Sequence, residues 1–290
     1  SYAIEPKSKG DEEKVSTGLH RILEEDPMIS FHRDEETAEM ILSGMGQVHI
    51  EVALSKLKRK FGVDVDMKTP KIPYRETIRK PSKAQGKYKK KSGGKGKYGD
   101  CWITIEPQER GKGFEFVDKI VGGSVPRQYI PAVEKGIADK MKEGIIAGYP
   151  MVDVKATIFD GSYHAVDSSE MAFKIAGSMA IKKAVATASP VLLEPVMKVE
   201  IVIPEEFLGA VIGDINSRRG KVQGMDSQGV SNQKIEAIVP MAEMLTYANQ
   251  LQSITSGRGM YSMEFFQYEE VPAHIAQKII DERAKDAKEE

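Results

Sequence analysis

The sequence predicts an α+β chain in which two ferredoxin-like βαββαβ domains flank a basic α/β domain. Three observations carry this reading: one order of helical stripes and alternating runs occurs at both ends, the middle departs from it, and charge is segregated by segment. Residues 1–76 hold 12 basic and 15 acidic side chains, residues 77–193 hold 20 and 12, and residues 194–290 hold 10 and 16. A chain of 290 residues with net charge −1 thus contains a middle of net charge +8, the place to seek a polyanion partner.

In residues 1–76, YAIE reads as a strand, and Val15, Leu19, Ile22 and Leu23 share one helical face that ends before Pro27. MISFH and AEMILSG flank the polar RDEET as a hairpin; Ile50, Leu54, Leu57 and Phe61 stripe a second helix, and VDVDM closes the domain. In residues 77–193, GKYKKK and CWITIEP are strands on either side of the glycine-rich SGGKGKYGD, and FEFVDKI is a third. Val133, Ile137 and Met141 mark a helix with Pro131 in its first turn. MVDVKATIF ends at Asp160-Gly161, a hairpin signal, and Asp167 and Glu170 frame DSSE as a capping box for a helix expected to turn Met171, Ile175 and Met179 inward.

Residues 194–290 repeat the first plan. MKVEIVIP is a strand; Leu208, Val211, Ile212 and Ile215 stripe a helix; KVQGMDSQG and QKIEAIVP pair as a hairpin. Met244, Ala248 and Leu251 mark a second helix, MYSMEFFQYEEV a long strand, and a helix after Pro272 ends in DERAKDAKEE.

Composition narrows the function classes. With 40 % apolar and 29 % charged residues the chain is globular rather than disordered. One cysteine, Cys101, excludes an intramolecular disulfide and any zinc site built on two thiolates, and points to a reducing, cytoplasmic home. No apolar run is long enough for a bilayer span, and SYAIEPKSKG lacks a signal-peptide core. The abrupt start on a strand reads as a piece of something longer.

The sharpest feature lies between Arg79 and Gly99, which hold nine basic residues and no acid: Arg79, Lys80, Lys83, Lys87, Lys89, Lys90, Lys91, Lys95 and Lys97. A run of mixed charges would be an ordinary solvated face. Here one sign alone persists, glycines at 93, 94, 96 and 99 let the backbone approach a partner, and Tyr88 and Tyr98 offer rings for base stacking. Polyanion binding follows, RNA or DNA undecided. Gly94, Gly96 and Gly99 spell GxGxxG, but strand-like DCWITIEP follows where a dinucleotide fold needs a helix; GxxxxGK[ST] is absent. Among five histidines there is no HExxH. His49 fits the polar or half-buried side of its helix, and Ser162, His164 and Asp167 are too close in sequence to align as a hydrolytic triad. His164, beside Ser162 and Tyr163, instead suits hydrogen bonding to RNA from an exposed loop.

DGSYHAVDSSEMAFKIAGSMAIKKA resembles the corresponding stretch of bacterial elongation factor G. GMGQVHIEVALSKLKRKFGVDV, PYRETI, GFEFVDKIVGGSVPRQYIPAVEKGI, LLEPVMKVE, GDINSRRGKVQGM and VPMAEMLTYANQLQSITSGRGMYSM resemble it in the same order. The resemblance spans essentially the whole chain. It implies an elongation-factor-G-like paralogue represented by its third, fourth and fifth domains, residues 1–76, 77–193 and 194–290, without the GTPase and second domains. The fourth domain is then an arm whose protruding tip enters the decoding region and holds tRNA and mRNA during GTP-dependent translocation. By position Lys87, Lys89, Lys90, Lys91, Ser92, Gly93, Gly94, Lys95, Gly96, Lys97 and Tyr98, with Gly161, Ser162, Tyr163 and His164, inherit RNA and ribosome binding. No catalytic or metal-binding residue is assigned to this chain, and GTP and Mg belong to the absent N-terminal domain of a GTPase parent.

The partners implied are rRNA, the tRNA–mRNA pair and the stalk-base protein, engaged by a monomer without a membrane. Two alternatives stay open: a recycling paralogue that splits subunits with ribosome recycling factor, and a stand-alone RNA- or ribosome-binding module. The family commonly carries GGRGQYGH at the first tip loop; Lys95, Lys97 and Asp100 stand here in place of its arginine, glutamine and histidine, and Lys95 keeps the charge of the arginine but loses its guanidinium geometry.

Overall fold

The computed structural model describes residues 1–8, 10–34, 37–90, 96–229 and 231–289. The chain divides into two units, Ser1–Pro73 with Pro195–Gln267 and Tyr74–Glu194 with Tyr268–Glu290. The first unit opens with strand β1 (Tyr2–Pro6), helix α1 (Glu12–Glu25), β2 (Ser30–Arg33), β3 (Met40–Ser43), α2 (Gln47–Phe61) and β4 (Val65–Lys68). The sheet order is β2-β3-β1-β4 with every pair antiparallel, the ferredoxin-like order. Val15, Leu19 and Ile22 of α1 and Ile50 and Leu57 of α2 close on Ile4 and Leu42 of the sheet. Burying each such side chain contributes about 1.5–3 kcal/mol. His49 takes the half-buried one of the two placements its spacing allows: its Nε2 lies 2.8 Å from Asp26 Oδ2, and its Nδ1 accepts the Met45 N–H at 3.2 Å.

The second unit is built on β5 (Arg75–Ile78), β6 (Ser82–Lys90), β7 (Lys97–Pro107), β8 (Phe114–Asp118), α3 (Ile130–Glu143), β9 (Val154–Ser162), α4 (Glu170–Thr187) and the start of β10 (Pro190–Pro204). Its main sheet runs β6-β7-β9-β8, antiparallel except for the parallel β8–β9 pair. β5 pairs separately with β10, Ile78 opposite Pro190. Ala84, Cys101, Ile103, Ile105, Ala156 and Ile158 turn from the sheet toward Val133 and Ile137 of α3 and Phe173, Ala176 and Ala180 of α4. The helix lies unusually close to the strands. A Cβ on Gly86 would stand 1.9 Å from the Ala176 carbonyl oxygen, so only glycine fits there.

Three sequence expectations change here. Asp160-Gly161 is not a turn: β9 runs through it to Ser162, and Phe159 is an extra residue between the pairs Trp102–Asp160 and Ile103–Ile158, a bulge that absorbs the turn-prone dipeptide into the strand. The inward face of α4 is Ala172, Phe173, Ala176, Gly177, Ala180 and Ile181, while Met171 is 62 % exposed. Small residues win that face because the close approach leaves no room for methionine. The cap of α4 is Ser169, whose side chain accepts the Ala172 N–H, and Asp167 serves elsewhere.

The later residues of β10 return to the first unit with α5 (Leu208–Ser217), β11 (Lys221–Gln228), β12 (Asn232–Pro240), α6 (Met241–Met244), α7 (Tyr247–Thr255) and β13 (Met260–Glu270), whose residues from Tyr268 onward belong to the second unit. The order β11-β12-β10-β13 repeats the ferredoxin-like plan, with the predicted second helix broken into α6 and α7. Helix α8 (Ala273–Glu289) belongs to the second unit, where Ile275, Ala276, Ile279 and Ile280 pack, with Tyr74 and Tyr149, against Ala147, Leu192 and Val271. No helix among the described residues is long and apolar enough to cross a membrane.

Candidate nucleic-acid interface

The register of the second unit's sheet brings two distant stretches of sequence to one end. β6 and β7 form a hairpin with Lys89 opposite Tyr98 and Lys90 opposite Lys97, and β7 pairs with β9 so that Asp100 faces Ser162. The ends of all three strands therefore converge, and the loop after Ser162 lies beside them. Lys87, Lys89, Lys90 and Lys97 are exposed there, as are Tyr163 and His164. Lys91, Ser92, Gly93, Gly94 and Lys95 lie outside the described residues.

Hydrogen bonds lock the convergence. Ser162 Oγ donates to Asp100 Oδ2 at 2.7 Å and, its proton so committed, accepts from the Tyr98 hydroxyl at 2.7 Å. Gln85 Nε2 donates to Asp100 Oδ1 at 2.8 Å. Asp100 is buried, so a carboxylate taken from water is held by two directed donors. It stands where the family pattern carries histidine, and its role here is to fasten β6, β7 and β9 together. On the loop side, Ser168 Oγ donates to the Tyr98 carbonyl at 3.0 Å and accepts the His164 N–H at 2.9 Å. Asp167 accepts the Gly96 N–H on Oδ1 at 3.0 Å and the Tyr98 N–H on its carbonyl at 2.9 Å. A Cβ on Gly96 would come within 2.7 Å of that carboxylate and would have to shift it.

His164 Nδ1 accepts the Val166 and Asp167 N–H groups at 3.3 and 3.2 Å, which places the ring proton on Nε2 and makes the exposed imidazole a hydrogen-bond donor. The Ser162, His164, Asp167 order is no triad, because the serine proton goes to Asp100 and the histidine nitrogen to backbone. The two tyrosines differ. Tyr98 lies with its ring 6.5 Å from that of His164 and 5.8 Å from Lys87 Nζ, whereas Tyr88 packs against the core and is no stacking platform. Its place opposite Gly99 puts it on the helix-covered face.

A third loop reaches the same end, unsuspected from sequence. β8 runs parallel to β9 and its chain continues to Arg127; Lys119, Val121 and Arg127 are exposed, Val121 at 84 %, while Val125 anchors the loop in the core. Tyr129 then ties it to the second loop, its hydroxyl donating to the Ser168 carbonyl at 3.3 Å. The signal was VGG directly after a strand, a turn holding an apolar residue in water. Cys101 is fully buried, and its thiol is pushed up to about 12 by desolvation, then by neighbouring Asp100. It is inert at neutral pH. Among the described residues no three His, Cys, Asp or Glu side chains stand together as a metal site.

Comparison with known proteins matches three family models in series: elongation factor G domain III over residues 1–69, elongation factor G domain IV over 70–189 and the elongation factor G C-terminus over 191–279. A crystal structure of a protein from Thermus thermophilus superimposes with a TM-score of 0.84 at 44 % identity, covering 98 % of this chain. The shared region is 42 % of that protein, so the chain spans about two fifths of its length.

Proposed function

Since the chain belongs to the elongation factor G family and carries its domains III, IV and C-terminal domain, we propose that it is the ribosome-contacting part of a translational GTPase, acting in the cytoplasm. In this reading the convergent end of the second unit enters the decoding region and holds tRNA and mRNA as they translocate. The observation that carries it is the joining of the lysine hairpin to the Gly161–His164 loop by the Asp100–Ser162–Tyr98 bonds. Exposed Lys87, Lys89, Lys90 and Lys97 supply phosphate contacts, and His164 Nε2 and Tyr163 supply directed ones. The run from Lys91 to Lys95 is assigned to the same contact by its sequence.

Nucleotide chemistry enters this reading only through a GTPase segment of a longer parent. The chain's own residues dock, orient and occlude. The remaining partners of the proposal are rRNA and the stalk-base protein, met by a monomer.

The test is sedimentation of the chain with ribosomes across a salt series. Lys89→Ala, Lys90→Ala and Lys97→Ala together should weaken binding and lower the slope of log K against log salt by about 2–3, at roughly 0.7–0.9 for each phosphate no longer neutralised. An unchanged slope would refute the electrostatic contact. Single-round peptidyl-tRNA movement and subunit splitting, run on a factor containing this chain, separate translocation from the recycling alternative.

A further inference from the structure

One face of the second unit's main sheet is covered by α3 and α4, and the side chains of the other face form a pattern that the convergent end does not account for. Cross-strand pairing puts Lys83 with Thr104, Gln85 with Trp102, Lys87 with Asp100 and Lys89 with Tyr98 on that face. From β9 it receives Ser162 and Asp160, and the bulge adds Phe159 beside them. Lysines and rings interleave: Lys87 Nζ lies 5.8 Å from the Tyr98 ring centre, and Lys83 Nζ lies 5.3 Å from that of Trp102 and 4.3 Å from that of Phe159. Lys83 is exposed, so a cation reaches both ring faces from the solvent side.

We infer that this open face is a stacking track for single-stranded RNA, with Trp102 and Phe159 receiving bases and Lys83 and Lys87 receiving the phosphates between them. A base stacked on an aromatic ring is held more strongly than the exposed lysine it displaces, and the displaced ammonium is then free to meet the backbone. Charge selects this occupant: Ser82–Lys90 carries four lysines and no acid along the edge of the face. All but one of the acids nearby are committed or distant. Asp100 is held by Gln85 and Ser162, and Glu106 and Glu115 stand at the other end, Glu115 against Lys155; exposed Asp160, opposite Trp102, is the one carboxylate left on the track, and the lysines outnumber it. The inference goes beyond the decoding-end contact and does not depend on it, since the rings lie along the strands rather than in the converging loops.

Trp102 is the chain's one tryptophan, so its emission reports the track directly. The full 290-residue chain is titrated with a 12-nucleotide oligouridylate at low salt. Saturable quenching of Trp102 is expected. Phe159→Leu, which keeps an apolar side chain but no ring, should weaken affinity about tenfold, Phe159→Tyr should retain it, and Lys83→Ala should lower the salt slope by about 0.7. Matching thermal melts for the Leu and Tyr variants separate loss of stacking from loss of fold. Unchanged Trp102 emission at saturating oligonucleotide overturns the inference, including the case in which another protein segment covers the face. Equal affinities for Phe159→Leu and the parent chain overturn it too. Ribosome sedimentation of the same variants, compared with His164→Ala, shows separately whether the decoding-end reading fails.

Discussion

Replacing Ser162 by alanine removes the hydroxyl on which the convergent end turns. Its Oγ makes a 2.7 Å bond to Asp100 Oδ2 and takes another of 2.7 Å from the Tyr98 hydroxyl. Asp100 is 5 % exposed, so the orphaned carboxylate oxygen has little water to turn to. A hydrogen bond to a charged group contributes about 1.5–3 kcal/mol, and the half-buried Tyr98 hydroxyl loses a neutral bond nearer 0.5 kcal/mol because solvent replaces part of it. The variant should therefore lose about 2–3 kcal/mol. Trp102 lies two residues beyond Asp100 on β7, so its fluorescence follows this unit through a urea titration. With m of about 1–3 kcal/mol/M, the midpoint should fall by roughly 1–2 M at unchanged m. Adding Tyr98→Phe should cost less than its effect in the parent chain, since its partner is already gone. A midpoint shift under about 0.3 M would refute the claim that this serine fastens the strands.

Gly86→Ala should destabilise the same unit by about 1–3 kcal/mol, read from its thermal midpoint, because the new methyl would stand 1.9 Å from the Ala176 carbonyl oxygen and push α4 off the sheet. Glu76, fully buried on β5, accepts the N–H groups of Ile145, Ile146, Ala147 and Tyr149 at 2.7–3.1 Å; Glu76→Gln turns a donor toward donors and should cost about 2–3 kcal/mol in a denaturant titration. Cys101 should resist a thiol reagent at pH 8 in the native chain and react once in urea. The unfolded thiol ionises near 9.0 while the folded one holds its proton to about 12, so stability should fall as pH rises through that window, and Cys101→Ala should lessen the fall.

Both ferredoxin-like folds were legible because their stripes repeat at helical period and their strands alternate, and packing agreed with pattern at Val15, Leu19, Ile50 and Leu57. The lysine hairpin and the Gly161–His164 loop were each legible as sequence, but the bonds joining them were not. Asp100 read as a departure from a basic motif, and only the register of β6, β7 and β9 shows it bound to Gln85 and Ser162. Local signals failed where close packing overrode them. Asp160-Gly161 has turn chemistry yet lies in a paired strand, and Met171 yields the inner face of α4 to alanine and glycine. Tyr88 and Tyr98 look alike in sequence, and a strand's period of two sends one to the core and the other to the open face.

The central claim, that the convergent end of the second unit touches decoding-region RNA, is tested most directly by where a tethered cleavage reagent cuts. With Cys101→Ala removing the native thiol, Tyr163→Cys places an iron chelate on the Gly161–His164 loop, and Glu143→Cys places it at the C-terminal end of α3 as the comparison. Bound to ribosomes, the Tyr163 tether should cut small-subunit rRNA of the decoding region, at sites protected by added salt and absent from the Glu143 pattern. Cuts at the same positions from both tethers, or none in small-subunit rRNA from Tyr163, would contradict the account.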